Sequence, residues 1–210
     1  SIFDQLWIQP AAGDAGGAVG VAWLIWHQLL GNQRRPGDPD CQLGSLLGPR
    51  FESESVAETL RSYGARFEQI SDSHDRNRRV AAWLADGMVV GRFGGRAEYG
   101  PRALGNRSIL GDPRCAEMQS TMNLKIKFRE SFRPFAPVVL KARAADYFNF
   151  PADRESPYML LVCNAAGDDL PAVTHVDGSS RLQTVDEVRN PEFADLLHAF
   201  ESRTGCPVLI

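Results

Sequence analysis

The chain has 210 residues, 43% of them hydrophobic and 23% charged, a make-up that excludes a disordered or fibrous protein and fits a globular one. No apolar run approaches the ~20 residues of a membrane span, no secretion-type segment opens the sequence, and Cys41, Cys115, Cys163 and Cys206 form no C-x-x-C pair, so a cytoplasmic protein with reduced thiols is expected. The net charge of −3 is uneven: residues 92–143 hold 11 Lys and Arg against four Asp and Glu, and the remainder holds 12 against 22, which points to a local anion site rather than a wide nucleic-acid footprint.

In chain order, residues 6–8 form a short apolar run, followed by Pro10 and a glycine-rich turn over 13–20. Residues 19–30 then read as a helix stopped at Gly31, giving strand, loop, helix. Residues 32–39 are polar and rich in breakers, a linker. Ser55 and Glu58 have capping-box spacing for a helix ending at Gly64, and residues 76–86 predict another helix closed by Gly87. Residues 88–93 read as a buried strand, followed by a long glycine- and arginine-rich loop. Asp112-Pro113 looks like an N-cap with proline at the first helical position, predicting a helix over 114–126. Strands are expected at 136–140, 158–163, 173–176 and 182–185, then a helix over 191–203, a stop at Gly205 and a strand from Pro207. Such alternation argues for the α/β class.

Four stretches carry chemistry. Residues 91–110, GRFGGRAEYGPRALGNRSIL, set Arg92, Arg96, Arg102 and Arg107 among five glycines. Glycines let the backbone approach a ligand, and guanidinium forks suit phosphate or carboxylate oxygens. The bland alternative is a structural loop whose arginines pair with Glu98 and Asp112. Residues 123–137, NLKIKFRESFRPFAP, alternate Lys125, Lys127 and Arg129 with apolar residues, so an extended conformation puts three cations on one face, with Arg133 in the turn beyond. Three like charges together need an anion among them, although an exposed edge strand also tolerates lysines. In residues 174–185, THVDGSSRLQTV, Asp177-Gly178 is a turn signal with His175 and Arg181 flanking it. In residues 13–20, GDAGGAVG, Asp14 could serve a metal or a nucleotide hydroxyl, or nothing beyond its turn.

Taken together, these stretches, with GPRF at 48–51 and TGCPVLI at 204–210, resemble the C-terminal half of the carbamoyltransferases that include nodulation protein U and the tobramycin and cephamycin O-carbamoyltransferases. The resemblance covers nearly the whole chain. It implies a YrdC-like fold, a twisted mixed sheet with flanking helices, preceded by a strand–loop–helix remnant of an actin-like domain. The implied boundaries are 1–35 for that remnant, 36–47 for a linker, 48–205 for the YrdC-like carbamoyl-adenylate-forming domain, and 206–210 for a strand returning to the actin-like domain. The implied activity makes carbamoyl adenylate from carbamoyl phosphate and ATP with Mg²⁺, for transfer to the hydroxyl of a sugar-type or antibiotic acceptor. Carried over by motif, Lys127, Arg133 and Arg181 are the expected catalytic cations. Lys125, Arg129, Arg102, Arg107 and His175 are expected to bind substrate or nucleotide, and Asp14 to be one ligand of an iron ion. The family's H-x-x-x-H iron pair does not occur here, and its N-T-S-F-N segment would follow Ile210, so a C-terminal fragment of a longer enzyme is expected. Two alternatives stand beside this: a threonylcarbamoyl-adenylate synthase of tRNA modification, and a basic RNA-binding module. The acidic remainder and the lack of a base-stacking platform weigh against the second.

Overall fold

A computed structural model of the chain describes residues 7–37 and 40–210, so the expected strand residue Leu6 and the linker residues Asp38 and Pro39 lie outside the described part. Trp7 and Ile8 form no strand and are exposed. The glycine run is not a loop. Helix α1 (Asp14–Leu24) starts at Asp14 and continues as a π-helical turn over Ile25–Leu29, so Gly16, Gly17 and Gly20 are helical. A Cβ on Gly16 would lie 2.3 Å from the Ala11 carbonyl oxygen, so glycine there lets the entering chain fold over the first turn. None of α1 is buried, and Val21, Leu24 and Trp26 are exposed along it.

Helix α2 (Ser53–Ser62) begins ahead of the expected capping box, and no side chain caps it. Helix α3 (Ser73–Ala85) also begins early, because the Asp72 carboxylate accepts the backbone N–H of His74 and Asp75 and fixes the start there. Strands β1 (Val90–Phe93) and β2 (Arg107–Leu110) pair antiparallel, so the last residues of the arginine-rich stretch are strand rather than loop.

Asp112 does not cap a helix. It forks onto Arg114 instead, at 2.6 Å, and helix α4 (Ala116–Thr121) starts only after Cys115. A π-helical turn, Met122–Lys127, follows and ends at Phe128 in the left-handed region, φ 50°. The lysines therefore do not alternate on an extended strand. The cause is Asn123, fully buried, whose amide donates to the carbonyls of Ser131 and Arg133 while its own backbone carbonyl accepts from the Arg129 N–H.

Strands β3 (Val138–Leu140), β4 (Leu161–Asn164), β5 (Ser179–Val185) and β6 (Val208–Leu209) form one sheet in the order β4-β5-β3-β6, with helices α5 (Ala144–Tyr147) and α6 (Pro191–Thr204) between them in sequence. β3 runs parallel to β5, and the other two pairings are antiparallel, so the chain is α/β with a mixed sheet and flanking helices. Residues 173–176 make turns, not a strand, and the turn at Gly178 leads into β5, whose hairpin-like partner is β4. β6 takes the sheet edge beside β3. Asn190 caps α6 by accepting the Phe193 N–H, and Gly205 ends it at φ 76°. α6 lies on α3 and puts Phe193, Leu196, Leu197 and Phe200 into a core shared with Val139, Leu182 and Leu209. Each such side chain, fully buried, contributes roughly 1.5–3 kcal/mol.

Candidate functional site

The loop between β1 and β2 is pinned from several sides. Glu98 pairs with no arginine; one of its carboxylate oxygens accepts the backbone N–H of Leu104, Asn106 and Arg107 at 2.8, 2.8 and 3.1 Å. Gln183 on β5 donates to the Leu104 carbonyl at 2.9 Å, and Ser108 accepts the Gly105 N–H at 2.9 Å. Gly105 has φ 117°, and a Cβ there would sit 2.3 Å from the Phe193 ring, so this position admits only glycine. The backbone of residues 104–107 is thus held by Glu98, Gln183 and Ser108, with the Arg107 guanidinium adding a bond to the Asn106 carbonyl.

Two clefts open against this loop. One, of about 220 Å³, is lined by Ala11, Gly13, Ser45, Tyr99, Arg102 and Tyr158. The other, of about 150 Å³, is lined by Gly105, Arg107, Ser108, Lys127, Gln183 and Phe193, among others. On β5, Arg181 and Gln183 are two residues apart and share a sheet face, so Arg181 looks toward the same loop. Burial, and next the charge of Arg102, lower the Arg181 guanidinium below its usual range. Among the described residues neither Arg102, Arg181, Lys125 nor Lys127 forms an ion pair with a carboxylate of the chain. Like charges held together unpaired are the electrostatic mark of a place for an anion.

The structure sets Arg102 on this loop with Arg181 near enough to feel its charge, puts Lys127 at the smaller cleft, and sets other expected residues elsewhere. Arg107 lines the smaller cleft, but its guanidinium lies 3.7 Å from the centre of the Phe93 ring and donates to the carbonyls of Gly94 and Asn106. Arg129 donates to Asn123 at 2.6 Å and stacks on Phe135. Arg133 pairs with Glu130 at 2.9 Å on the surface. Lys125 projects to solvent from the π-helical turn without lining either cleft. His175 faces Asp177 across 3.1 Å inside its own turn, where hydrogen bonds from Ser179, side chain then backbone, followed by His175, pull the Asp177 carboxyl down to about 2. Asp14 is exposed at the first turn of α1, and among the described residues no three His, Cys, Asp or Glu side chains come together, so these residues alone do not make up a metal centre. Sequence reasoning missed Asn123, Gln183 and the role of Glu98. The one available signal was Glu98 itself, a solitary acid within 20 residues holding four arginines.

The cations about the glycine–arginine loop thus stand in a domain of the mixed α/β class. Residues 81–210 match the family described as carbamoyltransferase C-terminus, and the chain belongs to that family. Over 99% of its length it is 49% identical to an uncharacterized protein of Synechocystis sp., and over its whole length 42% identical to nodulation protein NolO of Bradyrhizobium diazoefficiens. It is also 37% identical, over 99% of its length, to the 3'-hydroxymethylcephem-O-carbamoyltransferase of Amycolatopsis lactamdurans. The chain spans 37%, 38% and 37% of these three relatives. No helix among the described residues is long and apolar enough to cross a membrane.

Proposed function

We propose that this chain is the phosphate-handling part of an ATP-dependent O-carbamoyltransferase. The observation that carries the reading is the set of cations without a carboxylate partner among the described residues: Arg102 on the β1–β2 loop, Arg181 within reach of its charge, and Lys127 at the cleft on the loop's other side. Carbamoyl phosphate and water give carbamate and phosphate. A carbamate oxygen then attacks the α-phosphorus of ATP, forming one P–O bond and breaking another, so that pyrophosphate leaves and carbamoyl adenylate remains. An acceptor hydroxyl, of the sugar or antibiotic kind, takes the carbamoyl group and releases AMP. Every early step crowds anions and sheds an anionic leaving group, which fixed cations stabilise without an acid or base of matched pKa.

In this reading Lys127 and Arg181 hold phosphate oxygens, Arg102 supports Arg181, and Arg133 leaves Glu130 to reach the substrate. Mg²⁺ enters with the nucleotide as part of that substrate. Asp14 offers one carboxylate to a metal whose other ligands this chain does not bring together, and no step is assigned to it. Each cleft is smaller than the ~300 Å³ at which small-molecule pockets begin, so the rest of a longer enzyme closes the site. The test is pyrophosphate and AMP release in the complete enzyme, dependent on carbamoyl phosphate. Lys127→Ala, Arg181→Ala and Arg133→Ala are each expected to lower it by ~100-fold or more. Undiminished release in Lys127→Ala and Arg181→Ala overturns the assignment.

A further inference from the structure

The smaller cleft, of about 150 Å³, holds a polar side chain that none of the chemistry above uses. Most of its lining is apolar, Leu110, Val138 and Phe193 among it, and the lining includes no aspartate or glutamate. Its polar side chains are Arg107, Ser108, Lys127 and Gln183. The Arg107 guanidinium donates to the carbonyls of Gly94 and Asn106, and the Gln183 amide to that of Leu104. Ser108, half-buried on β2, differs from these. Its oxygen accepts the Gly105 N–H at 2.9 Å, and among the described residues its own proton reaches no acceptor. A serine hydroxyl has one proton and two lone pairs, so this bond fixes the oxygen by a lone pair and leaves the proton unused. Gly105 lines the same cleft and is itself held against the Phe193 ring. Two donors are thus left in the cleft, the Lys127 ammonium and the Ser108 hydroxyl, with no acid in the lining to occupy them.

We propose that Ser108 binds substrate directly, its hydroxyl donating to a phosphoryl oxygen of carbamoyl phosphate while Lys127 neutralises the charge, an inference that rests on the carbamoyl-transfer reading above. The cleft has the volume of on the order of five water molecules, room for a phosphate group with a small substituent and not for a nucleoside triphosphate. The nucleotide also arrives with Mg²⁺, which takes oxygen ligands, carboxylates in particular. A lining with a lysine and no carboxylate suits a phosphate that comes without a metal. Met159, which lines the same cleft, sits in the left-handed region at φ 54°, a strain of ~1–3 kcal/mol of the kind that gathers at ligand sites. The bond from Gly105 sets the serine oxygen in place before substrate arrives, so little ordering is left to be done on binding.

The experiment measures AMP release by the complete enzyme with carbamoyl phosphate and ATP varied in turn, and titrates the same enzyme with inorganic phosphate by calorimetry. Ser108→Ala raises the KM for carbamoyl phosphate about 10-fold or more and weakens phosphate binding by a similar factor, since the lost bond is to a charged oxygen. The KM for ATP stays within about twofold, because the nucleotide lies outside this cleft. Ser108→Thr keeps the hydroxyl and the bond from Gly105, and restores both quantities. A serine that only braced the loop would disturb both substrates alike, so an equal rise in the two KM values overturns the proposal. An unchanged KM for carbamoyl phosphate in Ser108→Ala, a rise for ATP alone, or a Ser108→Thr enzyme as weak as Ser108→Ala overturns it too. Should the unaltered enzyme release no AMP, the carbamoyl-transfer reading falls and this inference with it; normal release with an indifferent Ser108→Ala removes this inference alone.

Discussion

Arg189 ties Asp40 to Glu155 and Asp186, and replacing it by Met should destabilise the chain in a pH-dependent way. Its side chain is 6% exposed and meets three carboxylates: Glu155 at 2.6 Å, Asp186 on a short bond, and Asp40 at 3.4 Å. Asp40 also accepts the Tyr158 hydroxyl at 2.6 Å, and the Gly44 N–H donates to the same hydroxyl. Arg189→Met leaves three acids facing one another with only Lys141 near Glu155. Breaking a buried ion pair from one side costs ~3–5 kcal/mol, and 1 kcal/mol moves the midpoint of a domain this size by ~2–4 °C, so a loss of about 6 °C or more is expected near pH 7. Burial alone would raise the Glu155 and Asp186 carboxyls; bonds from Arg189, with Lys141 helping Glu155, carry both below their ordinary values instead. Depressed carboxyls stabilise the fold above their unfolded pKa, and that contribution is lost as pH falls through the folded value. In Arg189→Met the acids lack this partner and protonate more readily, so the gap to wild type should narrow between about pH 7 and pH 4. Thermal unfolding of both proteins across that range is the assay. A gap below ~1 kcal/mol, or one that is constant with pH, refutes the reasoning.

Gly105→Ala forces a Cβ to within 2.3 Å of Phe193 at φ 117°, and should cost ~3 kcal/mol or more, seen as a lowered denaturant midpoint or loss of folded protein. Asn123→Ala removes the donor for two loop carbonyls and the acceptor for Arg129, with an expected loss of ~2–4 kcal/mol and increased proteolysis of residues 128–133. Asp72→Ala deletes the α3 cap and should lower the midpoint of chemical denaturation. Asp177, held to about 2 by Ser179 and then His175, should keep its charge down to that pH, so its carboxyl resonance should titrate near 2 and move upward in Ser179→Ala.

What was legible in the sequence followed from local chemistry. The helix read over 191–203 with its stop at Gly205 is α6, and the structure adds why it starts there: Asn190 accepts the Phe193 N–H. The glycine stops at Gly31, Gly64 and Gly87 are all left-handed, as stops require. Elsewhere the contacts the side chains found overruled the local signals. Asp112 took Arg114, two residues on, in place of a helix end, and the glycines of 13–20 lie at the start of a helix rather than in a loop, with only Gly16 closely packed. The alternation of Lys125, Lys127 and Arg129 was a pattern of period two, but Asn123 gathers the following loop and imposes a helical turn. Partners eight to ten residues away, chosen by a buried amide, leave no periodic trace.

The same logic divides the basic stretch into two populations. Arg107 spends its fork on carbonyls and an aromatic ring, Arg114 on Asp112, and Arg129 on Asn123 and Phe135. These cations are already solvated by the protein, and a ligand would have to displace good bonds to reach them. Among the described residues Arg102, Arg181 and Lys127 have no such bonds, and burial, then the charge of Arg102, lower the Arg181 guanidinium. In the proposed reading a phosphate would offset the Arg102–Arg181 repulsion as well as adding its own attraction, a gain that the already bonded cations do not offer. Motif membership alone could not separate the two groups, because both carry the same guanidinium; what separates them is whether the fork was already filled when the chain folded.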